Sequence, residues 1–329
     1  MTTRAYVSSN EVPEQALTIV RGAAEVKTHA ADGPPSREEL LREVAEVDGL
    51  FCMLTEKIDS ELLDAGKNLK IVSSMSVGFD HVDLEAATKR GVMVTNTPGV
   101  LTEATADTTL GLMLAVSRRI VEADRWLRDG SWQLKWSPMM MAGRDVHGRT
   151  LGIYGMGRIG NSVAKRATGF GMRIIYHNRS RDEEAEKEHG AEYRTMEGLL
   201  RESDFLSVHV PLNKETRNSI GAKELAMMKS TAYLINTSRG GVVEERALVE
   251  ALRGGIIAGA GLDVFEREPI EMDNPLIKMK NVVLTPHIGS GSIESRTAMA
   301  VLAAKNLAAG LKGERPPNLL NPETFKGTE

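Results

Sequence analysis

Short runs of consecutive apolar residues alternate with stretches of helical periodicity along the whole chain, and this pattern predicts a parallel α/β architecture. In the first third, strands are predicted near residues 5–8, 49–54, 70–74 and 92–96, and helices near 13–21, 36–44 and 82–89. Ser36 with Glu39 has capping-box spacing and supports the start of the second helix. Thr97-Pro98-Gly99 interrupts this series, and one long helix is predicted over 101–128. A loop rich in Trp and Met follows. Thr150 then opens a second series, with strands at 151–154, 173–177, 205–210, 232–236, 258–263 and 282–285. Another helix is predicted over 292–311, before a Pro-rich, extended end past Glu314.

The six strands of the second series suit a complete Rossmann sheet, doubly wound and parallel. The early break at Pro98 and the late helix predict a discontinuous organisation. Residues 1–99 plus 290–329 are expected to form a smaller, flavodoxin-like α/β lobe for substrate, and 100–289 the dinucleotide-binding lobe. A small substrate is expected in the cleft between the lobes.

Composition narrows the function classes. Apolar residues make up 41% and charged residues 26% of the 329, so the chain can bury sizeable cores. A net charge of −4 gives no reason to expect nucleic acid or an anionic membrane as partner. No apolar stretch approaches the roughly 20 residues needed to span a bilayer, and the first twelve residues do not resemble a signal peptide. The single Cys52, inside an apolar run, reads as a buried strand residue and fits a reducing cytoplasm. The histidines His29, His81, His147, His177, His189 and His209 show no metal-ligand spacing with one another, so no metal site is expected.

The second series opens with Gly155-Met156-Gly157-Arg158-Ile159-Gly160 between an apolar run and a helical stretch. At such a junction the glycines allow a tight turn, close approach of phosphate and close helix packing, and the helix N-terminus attracts the pyrophosphate. The acid that would bind a ribose 2′-hydroxyl belongs at the end of the next strand. Here that stretch reads Asn178-Arg179-Ser180-Arg181, with no carboxylate before Asp182. The two guanidinium groups and the hydroxyl suit a 2′-phosphate, which points to NADP(H) as preferred cofactor with NAD(H) as a second; an exposed basic turn is the bland alternative.

Three polar residues follow predicted strands: Arg239, Glu268 and His287. Ligands bind at the carboxyl ends of strands in open parallel sheets, so all three can converge on one crevice. An Arg can hold a carboxylate in a forked contact, and a His beside a carboxylate can donate a proton near neutral pH. Reduction of a 2-keto acid needs such a set.

Together with Ser76-Val77-Gly78-Phe79-Asp80, Asn96-Thr97-Pro98-Gly99, Asn236-Thr237-Ser238-Arg239-Gly240 and Pro286-His287-Ile288-Gly289-Ser290, these motifs resemble the D-isomer-specific 2-hydroxyacid dehydrogenases, most closely the glyoxylate/hydroxypyruvate reductases. The resemblance implies that Arg239 binds the substrate carboxylate and keto oxygen, that His287 is the general acid, and that Glu268, rather than nearby Glu266, holds His287 protonated. It implies that main-chain N–H groups of Ser76, Val77 and Gly78 receive the carboxylate, unless that turn is merely structural. It assigns Asp263 to the nicotinamide carboxamide, Asn178 to Arg181 to the adenosine end, and Val210, Pro211, Thr216, Thr237, Ser238 and Gly289 to the rest of the cofactor. The segment with Trp132, Trp136 and Met139 to Met141, and the long helix, are expected at a homodimer contact. Reduction of glyoxylate and hydroxypyruvate is the expected activity. A reductase of another 2-keto acid such as 2-ketogluconate, or a nucleotide-sensing binding protein, remains as an alternative.

Overall fold

Five short strands of the N-terminal part, β1 (Arg4–Val7), β2 (Glu25–Thr28), β3 (Gly49–Cys52), β4 (Ile71–Ser74) and β5 (Met93–Thr95), pair in parallel in the order β2-β1-β3-β4-β5 in a computed structural model that describes residues 2–327. Side chains alternate across this sheet as the strand period requires. Tyr6, Leu50, Cys52, Val72 and Val94 face a core shared with α2 (Arg37–Val44), α3 (Ser60–Ala65) and α4 (Leu84–Lys89). Ala5, Val7, Phe51, Ile71 and Met93 face the opposite core, formed with α1 (Glu14–Arg21) and the late helix α12 (Ile293–Leu311). That helix, capped by Ser292, is how the chain's end joins its beginning.

The sequence reading missed β2 and α3. Glu25-Val26-Lys27-Thr28 is a half-exposed edge strand without an apolar run, and a six-residue helix is too short to show a period. Only Asp59, accepting the Leu62 N–H at 3.2 Å, marks the start of α3. Ser36 does cap α2, accepting the Glu39 N–H at 3.1 Å, but the Glu39 carboxylate turns away to His29 at 2.9 Å and Tyr6 at 3.2 Å. The end past Glu314 is not wholly extended: it holds a short turn at Pro322–Thr324, and Leu319 bridges to Thr95.

The middle of the chain builds a second parallel sheet. Its strands are β6 (Thr150–Tyr154), β7 (Arg173–His177), β8 (Glu192–Tyr193), β9 (Phe205–Val208), β10 (Tyr233–Asn236), β11 (Gly259–Leu262) and β12 (Val282–Leu284), ordered β12-β11-β10-β9-β6-β7-β8. The observed sheet has seven strands rather than six, because the two-residue β8 adds itself to the β7 edge. The chain winds outward from β6 in both directions, so strand order reverses between β6 and β9 and leaves a crevice above their carboxyl ends. Helices α7 (Arg158–Thr168), α8 (Glu183–His189), α9 (Met196–Glu202), α10 (Ala222–Leu225) and α11 (Glu245–Arg253) connect these strands.

The helix predicted over 101–128 is two helices, α5 (Thr102–Ser117) and α6 (Ile120–Arg128). The break has a distant cause. The Ser117 carbonyl accepts the Arg144 N–H at 2.8 Å instead of continuing the helical ladder, and Arg119 takes a left-handed φ of 55°. Arg119 is held there by two bonds to Glu122, at 2.8 and 2.9 Å. By contact density the chain divides into two units, Met1–Leu101 with Ser292–Glu329, and Thr102–Gly291.

Candidate active site

The turn after β6 has the backbone that its glycines permit. Gly155 sits at φ 102°, and a Cβ there would lie 2.8 Å from the His209 carbonyl carbon and the Val210 nitrogen. A Cβ on Gly160 would lie 2.4 Å from the Gly155 carbonyl oxygen, so α7 packs directly on the turn. Gly157, by contrast, faces open space on its Cβ side, which leaves its backbone approachable by a diphosphate. Arg158 and Ile159 open the first turn of α7, where unpaired N–H groups suit an anion.

The loop after β7 divides its residues between structure and ligand. Asn178 braces the glycine turn, accepting the Met156 N–H at 2.7 Å and donating to the Met156 carbonyl at 3.2 Å. Arg181 is forked onto Glu186 at 3.0 and 2.6 Å. Asp182, the first acid past the strand, is the N-cap of α8, accepting the Ala185 N–H at 3.0 Å. Arg179 is 91% exposed, with its nearest carboxylate, Glu215, 3.9 Å away; Ser180 is exposed beside it. Across the crevice, Val210 and Pro211 precede a turn closed by the Thr216 hydroxyl, which donates to the Pro211 carbonyl at 2.5 Å.

Arg239, Glu268 and His287 lie beyond the carboxyl ends of β10, β11 and β12, three neighbouring strands. Asn236 shapes the first of these ends, accepting from the Ser238 N–H and hydroxyl, each at 3.0 Å, and donating to the Arg239 carbonyl at 3.0 Å. The Thr237 hydroxyl lies 2.9 Å from that of Thr109 on α5. His287 Nδ1 meets Glu268 Oε2 at 2.6 Å, and Glu268 Oε1 accepts the Phe265 N–H at 3.0 Å. Burial opposes ionisation of the Glu268 carboxyl. The bonds from His287 and the Phe265 N–H, with the His287 and Arg239 charges, outweigh it and hold the group below its ordinary value. An ionised carboxylate at Nδ1 fixes the ring so that Nε2 is free to face a ligand.

Asp263 supports the segment bearing His287. Its carboxylate accepts the Thr285 hydroxyl at 2.6 Å, the Ile288 N–H at 2.8 Å and the Gly289 N–H at 2.6 Å. The sequence assigned Asp263 and Gly289 to the cofactor without seeing this bond between them. Sequence reasoning also passed over Asn236, which its two-residue spacing to Ser238 could have flagged as an Asx turn. It passed over His209 too: burial pushes this imidazole down to about 3, and its Nε2 lies 2.7 Å from the Ser207 hydroxyl beside the glycine turn. In the other unit, Ser76, Val77 and Gly78 form the turn after β4, with the Ser76 hydroxyl donating to the Gly78 carbonyl at 2.7 Å.

A parallel sheet with a glycine turn at its reversal point, and a His–carboxylate pair and an Arg on adjoining strand ends, defines a dinucleotide-dependent oxidoreductase fold. The family model of the D-isomer specific 2-hydroxyacid dehydrogenase NAD binding domain matches residues 110–289. A glyoxylate reductase of Korarchaeum cryptofilum is 53% identical over 99% of this chain and 98% of its own length. One from Thermococcus litoralis is 54% identical over 96% of each. Among solved structures, an NADPH-dependent glyoxylate/hydroxypyruvate reductase of Sinorhizobium meliloti, in complex with NADP and malonate, is 34% identical with a TM-score of 0.85 over 100% of both chains. The chain belongs to the D-isomer specific 2-hydroxyacid dehydrogenase family and is an oxidoreductase with an NAD-binding domain.

The lowered Glu268 carboxyl gives a signed pH prediction. A carboxylate depressed in the folded state stabilises the protein fully above its unfolded value and loses that contribution as pH falls through the folded one. The melting-temperature difference between the unsubstituted protein and Glu268→Gln should therefore hold steady near neutrality and shrink below about pH 4.5. Thermal melts across that range check it, and a difference that grows on acidification contradicts it.

Proposed function

We propose that this protein is an NADPH-preferring reductase of glyoxylate and hydroxypyruvate, forming glycolate and D-glycerate. The observation that carries this reading is the 2.6 Å contact between Glu268 and His287 beyond the end of β12's neighbour, with Arg239 on the next strand end. The names of the relatives support the substrate class. Arg239 takes the carboxylate and keto oxygen of the substrate in its fork. The N–H groups of Ser76, Val77 and Gly78 also receive the carboxylate. A nicotinamide held over the crevice would supply the hydride that the carbonyl carbon takes up. His287 gives its Nε2 proton to the keto oxygen as the new C–H bond forms and takes it back in the reverse direction. Glu268, bonded to Nδ1, keeps the ring's orientation. Asp263, buried and already accepting three donors of the chain, holds the His287 segment rather than meeting the carboxamide.

The exposed Arg179 and Ser180 fit a cofactor bearing a 2′-phosphate, and the first acid past the strand, Asp182, is turned to cap α8 rather than set to bind a ribose hydroxyl. NAD(H) serves as the second cofactor. We further propose a homodimer in the cytoplasm. Helix α6 buries none of its residues, and Trp132, Leu134, Trp136 and Met139 next to it are 49, 80, 74 and 78% exposed, an apolar patch that a second copy would cover. The buried Cys52 suits a reducing compartment. No helix among the described residues is long and apolar enough to cross a membrane.

A panel of glyoxylate, hydroxypyruvate, 2-ketogluconate and 3-phosphohydroxypyruvate, each with NADPH and NADH, tests the activity. Highest kcat/KM is expected for the first two with NADPH; turnover of none overturns the reading, and an NADH-favouring ratio overturns the cofactor preference. His287→Ala should lower kcat by about a hundredfold to ten-thousandfold, with NADPH affinity nearly kept, because the acid acts in the chemical step. Loss of cofactor affinity at an unchanged maximal rate contradicts the role. Sedimentation should give twice the chain mass, and Trp136→Glu should shift it towards one chain; a monomeric unsubstituted protein contradicts the dimer.

A further inference from the structure

Resting on the reading that the turn after β4 receives the substrate carboxylate, we infer that Ser74 and His81 are positioning residues for that turn, acting through Ser76. Three consecutive peptide carbonyls there are tied to protein donors. The Thr97 N–H donates to the Ser76 carbonyl at 2.8 Å, Asn96 Nδ2 to the Val77 carbonyl at 2.8 Å, and the Ser76 hydroxyl to the Gly78 carbonyl at 2.7 Å. A peptide unit is planar and trans, so fixing its carbonyl fixes the N–H on its opposite edge. The N–H groups of Val77, Gly78 and Phe79 are oriented in this way, and none of them bonds to another described residue. Consecutive N–H groups left open make an anion-binding site.

The third tether extends back into the fold. Ser76 Oγ has one hydrogen, given to the Gly78 carbonyl, so it accepts in its 2.7 Å contact with Ser74 Oγ. Ser74 thus spends its own hydrogen on Ser76 and accepts from His81 Nε2 at 3.0 Å. The Cys52 thiol also lies beside Ser74, but sulfur is the weaker acceptor and does not divert that hydrogen. The donor direction therefore runs from His81 to Ser74, to Ser76, to the Gly78 carbonyl. Ser74 is fully buried and Ser76 is 3% exposed, so water cannot replace a broken link. Such a chain acts as one unit rather than as separate bonds.

The carboxylate keeps its charge while the neighbouring carbonyl takes up hydride and proton, so it is held alike in the ground and transition states and its receptor governs KM more than kcat. The test measures glyoxylate kinetics at saturating NADPH for Ser74→Ala, His81→Ala, His81→Gln and the Ser74→Ala/His81→Ala double variant. KM should rise about tenfold in both alanine variants, by more than kcat falls. His81→Gln, which keeps an N–H donor, should recover most of the loss. The double variant should be no worse than the poorer single one, since both break the same chain. Effects that multiply, a fall in kcat at unchanged KM, or no recovery by glutamine overturn the inference while leaving the reductase reading in place. An unsubstituted protein that turns over no 2-keto acid overturns that reading and the inference with it.

Discussion

The carboxylate of Asp263 takes three donors from the segment that carries His287, and the placement of the candidate acid depends on those bonds. A charge that is 1% exposed is costly to bury unless its lone pairs are filled, and here the chain itself fills them. The same bonds hold a strained backbone. His287 has φ 52°, a conformation costing a non-glycine residue on the order of 1 kcal/mol, and its N–H is shared between the Asp263 and Thr285 carbonyls. The turn this produces directs Nδ1 to Glu268 at 2.6 Å. The position of the imidazole is thus set from behind by Asp263 and its orientation from the side by Glu268.

Elsewhere the crevice presents main-chain donors. The first turn of α7 offers N–H groups where a pyrophosphate would lie, while Asn178 stiffens the turn before it through the N–H and the carbonyl of Met156, on two successive peptides. In the other unit the turn after β4 uses a related device, with carbonyls tied and N–H groups open. Formal positive charge stands at Arg239 beyond β10, at Arg158 in the first turn of α7 and at the exposed Arg179 after β7. Arg181, forked onto Glu186, is already neutralised, which makes Arg179 the freer of the two basic groups.

Much of this fold was legible because parallel strands are buried runs, and runs such as Leu50-Phe51-Cys52 or Leu234-Ile235-Asn236 stand out in a single sequence. What escaped lacked a local signal. β2 and β8 are half-exposed edge strands of few residues, and α3 spans less than two turns. The break between α5 and α6 comes from Arg144, some 25 residues away along the chain, and no window over residues 101–128 contains it. The site shows the same division. Arg239, Glu268 and His287 could be picked out because each follows a strand, whereas the bracing roles of Asn178 and Asp263 belong to contacts between distant segments.

The account turns on a proton leaving His287 in the step that forms the C–H bond. Primary isotope effects with NADPH deuterated at the transferred position, measured on kcat/KM for glyoxylate in light and heavy water, examine that step directly. The account predicts that both substitutions slow the reaction and that the primary effect persists undiminished in heavy water, as one concerted step requires. A primary effect that shrinks in heavy water would put proton and hydride in separate steps and contradict it.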